Sequence, residues 1–235
     1  MIKNMIWATV LTVAVISSPA MAEVSGESFD VLGSFMDKTK KEIDTNSVLK
    51  GNKAEAEKYR EKIIKGWWEF MQGKSGAKPG EYCMATFLQA KRMPQEGSNE
   101  GMKEGMVVIL SGPGGNYRGA LLGFSPIGDE HRFPEYQKGK PIMVTLKQGD
   151  LKPVTLNAIY MTIGKTSRPM ILFAVPNIEA LMAGMKDDWS FEVIYQEQSI
   201  ADITWHSGLK AREELEKCIA GEPFDNKSHV FDGLK

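Results

Sequence analysis

The chain is poor in the residues that most often carry chemistry. Among its 235 residues are two cysteines and three histidines. His131, His206 and His229 are scattered, and none has a ligand-type neighbour at helical spacing, so the pattern supports no zinc site. The net charge of −1 excludes bulk attraction for nucleic acid or for an anionic membrane. No apolar run approaches the roughly 20 residues of a spanning helix. The two cysteines are far apart, unlike the Cys-x-x-Cys pair of a redox enzyme. No cofactor motif is present.

The longest apolar run lies at the start. Lys3 precedes an uncharged stretch over residues 5–16, then Ser17, Ser18 and Pro19 break it, and Ala20-Met21-Ala22 offers a small-x-small cleavage site. This three-part pattern predicts a secretion signal cleaved after Ala22 and a periplasmic address. Removing residues 1–22 takes away one lysine and no acid, so the net charge moves from −1 to −2. An exported protein meets an oxidising compartment, so Cys83 and Cys218 are expected to form a disulfide between a strand and a late helix.

Periodicity divides the rest. Phe29, Leu32, Met36 and Ile43 fall near one helical face, and Asn52 with Glu55 resembles a capping box. Tyr59, Ile63, Trp67, Phe70 and Met71 recur at helical spacing, which predicts a second helix reaching Gly73. From residue 82 short apolar runs alternate with turns. Strands are expected over 82–90, 106–110, 119–124, 141–147, 154–163 (one or two) and 170–175, with 92–105 as a polar loop. Asn177 caps a helix with the stripe Ile178, Leu181, Met182 and Met185. Two antiparallel strands follow, then a last helix capped by Ser207 and ended by Gly221. The expected fold is α+β: a mainly antiparallel β-sheet or curved sandwich with peripheral helices and a helical N-terminal arm. The expected segments are a signal at 1–22, the arm at 23–81, a β-rich core at 82–221 and a polar tail at 222–235.

Local motifs yield little chemistry. The glycine-rich stretch SGPGGNYRG over 111–119 lacks the Gly-Lys-Ser/Thr ending of a phosphate loop and reads as a hairpin turn. Its glycines would let a partner approach closely, which makes Tyr117 a candidate contact. Ser125 in GFSPIG misses the spacing of a nucleophile elbow. Met182 and Met185 sit on a core stripe, whereas Met93, Met102 and Met106 flank a polar loop and leave a cuprous copper carrier open as an alternative. Trp67 and Trp68, about 100° apart on a helix, would place one indole at the margin as a candidate partner surface.

The C-terminal third, with IEALMAGM, SFEVIYQ, ADITW and GLKAREELEKC, resembles the invasion-associated locus B family of small exported alphaproteobacterial proteins. The resemblance covers 82–221. It implies a non-enzymatic role at the envelope or towards a host factor, and it suggests the same Cys83–Cys218 pairing. The longer arm before residue 73 and the count of two cysteines depart from the family's pattern. The leading expectation is a non-catalytic protein that binds an envelope protein or glycan. An envelope hydrolase whose site is assembled from distant residues is the alternative from another class.

Overall fold

The computed structural model describes residues 61–93, 101–127, 132–135, 140–163, 167–222 and 224. The signal segment, the arm up to residue 60, His131, His229, the side chains of Met93 and Met102, and most of the tail lie outside these residues.

The body is one nine-stranded antiparallel sheet that curls into a half-barrel. Its strands are β1 (Trp67–Gln72), β2 (Cys83–Met93), β3 (Gly101–Ser111), β4 (Ala120–Ile127), β5 (Ile142–Gln148), β6 (Val154–Ile163), β7 (Arg168–Val175), β8 (Trp189–Tyr195) and β9 (Gln198–Trp205). Their order across the sheet is β1-β2-β3-β4-β7-β6-β5-β8-β9. Two helices attach to it, α1 (Ile178–Ala183) and α2 (Gly208–Ile219). The curl turns on β6. Residues 154–158 of β6 pair with β5, and residues 159–163 pair with β7.

Curling creates an inner and an outer face, and alternation along each strand fills both. Inside, rings interlock: Trp68 with Phe87 at 5.2 Å, Phe124 with Phe191 at 5.6 Å and Phe191 with Trp205 at 4.7 Å between centroids. Outside, Leu88, Val107, Ile109, Leu121, Met170 and Leu172 form a second buried cluster with Ile63 and Trp67. The inner space is therefore a packed core, not a cargo cavity.

Three local expectations need correction. The helix expected to reach Gly73 stops at Lys65, because Gly66 takes a left-handed conformation (φ 87°) and its amide closes the last turn on the Lys62 carbonyl at 2.9 Å. The aromatic run beyond it pairs with β2 instead, so the end of the expected 23–81 arm belongs to the sheet. Of the expected polar loop at 92–105, the described residues 92–93 and 101–105 are strand, since the β2–β3 ladder continues to Met93 opposite Gly101. Backbone pairing needs no apolar side chains. Finally, Ser207 makes no capping bond; it is left-handed, and α2 instead begins on Asp187, which accepts from the Leu209 amide at 3.4 Å. Asn177 does cap α1, accepting from the Ala180 amide at 2.7 Å.

Cys83 on β2 and Cys218 on α2 are disulfide-bonded, with Cα atoms 5.9 Å apart. The bond fastens α2 against the first two strands, 135 positions from its partner in sequence.

Candidate functional site

The residues singled out by sequence are used mostly for building. Trp67 and Trp68 lie on a strand, so they point to opposite faces, and both are buried. Trp67 donates to Glu69 Oε1 at 3.0 Å, and Trp68 donates to the His206 carbonyl at 2.6 Å. Neither indole is offered to a partner, which corrects that expectation; helical geometry had suggested a marginal position, and strand geometry removes it. Tyr117 is half-buried against the outer cluster and donates to the Ala120 carbonyl at 3.0 Å. Burial raises its phenol above the usual tyrosine range.

The glycine-rich turn has a structural occupant. A Cβ on Gly114 would lie 2.5 Å from the Tyr82 ring, and the Tyr82 amide donates to the Pro113 carbonyl at 2.8 Å. The turn's glycines make room for this ring. Ser125 is buried and donates to the Pro169 carbonyl at 2.8 Å, so its hydroxyl is committed. Met182 and Met185 are buried in the core, and Met106 packs against it. Among the described residues no cluster of His, Cys, Asp or Glu has metal-holding geometry.

One serine–histidine contact does exist at a strand-to-helix turn. His206 Nδ1 lies 3.0 Å from Ser207 Oγ, and His206 Nε2 lies 3.1 Å from the Gly66 carbonyl. Because a carbonyl can only accept, Nε2 carries the proton and Nδ1 accepts from the serine. This resembles a positioned nucleophile and base. An acyl-transfer site also needs free amides for a developing oxyanion. The nearest ones, at Gly208 and Leu209, both donate to Asp187. The pair therefore ties α2 to the Lys65–Trp67 turn.

What sequence reasoning missed is the exposed apolar surface of the β5–β6 hairpin. Four of the five large apolar side chains exposed among the described residues lie here: Met143 (64%), Leu151 (56%), Val154 (48%) and Leu156 (39%). The edge of the core runs through this hairpin. Val144 and Leu146 on β5 are buried, yet their cross-strand partners Leu156 and Val154 reach solvent on the same face. Residues 154–157 are all exposed, and β7 pairs only with 159–163, so among the described residues this half of β6 presents an unpaired edge. On the opposite face Thr145 and Thr155 exchange a hydroxyl bond at 2.9 Å, with Met143 and Asn157 beside them. The hairpin is anchored at its turn end, where Gly149 donates to the Ser190 carbonyl at 2.8 Å and Lys147 pairs with Glu192 at 2.8 Å.

No helix among the described residues is long and apolar enough to cross a membrane. No protein-family model, curated protein or solved structure matches the chain.

Proposed function

We propose that the chain is a non-catalytic, exported binding protein of the cell envelope, and that the β5–β6 arm is its contact surface for an envelope component or host factor. The single observation that carries this reading is the concentration of exposed apolar side chains on one anchored arm with an unpaired edge. Exposed apolar surface gathered in one place marks contact sites, whereas scattered single residues do not. The sequence features that predict export, the disulfide and the resemblance to the invasion-associated locus B family agree with an envelope role and form part of the proposal.

The test is site-directed photo-crosslinking in the native envelope. A photoreactive residue at Met143 should give discrete heavier adducts that a probe at exposed Glu213 on α2 does not give. Identical patterns at the two positions, or no adduct at Met143, would refute the arm as a contact surface.

A further inference from the structure

We infer that the unpaired edge of β6 joins β6 of a second copy of this chain, antiparallel about a two-fold axis at Thr155. The inference rests on the reading of the β5–β6 arm as the contact surface and names what occupies its edge. An open edge offers alternating amides and carbonyls, and another strand is the structure that satisfies them all. About five residues are free, a ladder of roughly 17 Å at ~3.4 Å per residue.

The side chains favour the chain's own copy. In this register Val154 of each copy lies opposite Leu156 of the other, and the two Thr155 residues face one another. Cross-strand partners share a face, so the Val154–Leu156 contacts extend the apolar surface that begins at Val144 and Leu146. On the other face the existing Thr145–Thr155 hydroxyl pair continues into a row of four threonines. Charge is compatible too. Residues 154–158 carry no charged side chain, and Lys152 falls opposite Ala158, so no like charges meet. Pro153, which has no amide hydrogen to donate, falls at the first position, where a ladder tolerates it. Beside this edge the β6–β7 ladder ends at Ile159 opposite Leu172, and Ala174 of β7 is exposed.

The β9 end of the sheet, by contrast, is protected in the usual ways. On β9 an acid, Asp202, is exposed, and its pairing with β8 is bulged at Val193/Ile194. The Trp205 side chain turns inward to Trp68. On β6 the edge residues have no such device. Pairing would give a platform β5-β6-β6-β5, with Met143 from both copies free on one face to meet the envelope partner.

The test uses the purified chain with its native disulfide intact. Sedimentation of the wild type should give twice the chain mass, and Thr155→Lys, which sets two ammonium groups face to face, should halve it while leaving a folded chain that still unfolds cooperatively. Thr155→Cys should convert under mild oxidation to a reductant-sensitive covalent dimer, whereas Glu213→Cys should not. A wild type that sediments at the mass of one chain, or a dimer indifferent to Thr155→Lys, overturns the inference. Should Met143 still crosslink to a foreign component in either of those cases, the arm remains a contact surface and self-pairing alone has failed.

Discussion

Trp68 on the first strand and Trp205 on the last lie with ring centroids 5.3 Å apart, so the two ends of the sheet meet inside the curl. Each indole also holds a carbonyl: Trp68 that of His206 at 2.6 Å, Trp205 that of Lys186 at 3.0 Å. The pair thus joins β1, β9 and the start of α2. Trp68→Phe keeps an aromatic ring but loses the hydrogen bond, and about 1–3 kcal/mol of stability should go with it. Because the rings touch, Trp68→Phe and Trp205→Phe should be non-additive by about 0.5 kcal/mol or more in urea unfolding. Strict additivity would mean that the contact contributes nothing.

Gly66 separates helix from strand, and two costs meet there. An added Cβ would force a side chain into the left-handed region, at about 1–2 kcal/mol, and would sit 2.4 Å from the Phe87 ring. Gly76 has a similar conformation (φ 69°) with nothing within 4 Å of an added Cβ. Gly66→Ala should therefore destabilise clearly more than Gly76→Ala in thermal melts. Equal effects would show that Phe87 yields without cost.

The disulfide should stabilise the fold strongly. Closing a loop of 135 positions restricts the unfolded chain by roughly 5 kcal/mol, an upper figure in the chain-entropy account. Both cysteines are buried, so reductant should act only when α2 lifts from β2. Cys83→Ala with Cys218→Ala should lower the unfolding midpoint by several kcal/mol equivalent, and the folded wild type should yield no alkylatable thiol. Two rapidly alkylated thiols before unfolding would contradict this.

How much of this could be read in advance follows from where the information lies. β2, the second half of β3 and β4 to β9 were legible because short apolar runs such as 106–110, or alternations such as Ile142, Val144 and Leu146, lie inside one segment. The Cys83–Cys218 bond was legible because only two cysteines exist and export implies oxidation. The end of the second expected helix was misread because Trp67, Phe70 and Met71 satisfy helical spacing as well as strand alternation. Only Gly66 and the pairing with β2 decide between them, and pairing is a non-local fact. The exposed arm was hidden for the same reason. Val154 and Leu156 look like core residues until β7 is seen to leave β6 at Ile159.

The turn end of the arm should respond to acid. The hydrogen bond from Lys147 holds the Glu192 carboxyl below its ordinary value of 4.5. A carboxyl depressed in the folded state stabilises above its unfolded value and loses that contribution as the pH falls through its folded value. Both side chains are partly exposed, at 43% and 33%, so solvent screening limits the pair to about 0.2–1 kcal/mol. At neutral pH Glu192→Gln should be less stable than wild type by that amount, and the difference should close as the pH drops below 4.5. A gap unchanged by acid or by high salt would show that the ion pair is not its source.

Thr86 offers the opposite kind of test, a substitution expected to stabilise. It lies on the outer face of β2 between Glu69 and Ile109, fully buried, and its hydroxyl has no hydrogen-bond partner among the described residues. A buried hydroxyl without a partner costs about 1–3 kcal/mol relative to the same group in water. Valine has nearly the same shape, keeps the β-branch that suits a strand and places a methyl group among Leu88, Val107 and Ile109. Thr86→Val should therefore raise the unfolding free energy by about 1 kcal/mol, visible as a higher urea midpoint at unchanged slope. The sign is the decisive reading. A destabilised variant would mean that the hydroxyl is satisfied in solution and that this face holds a polar contact.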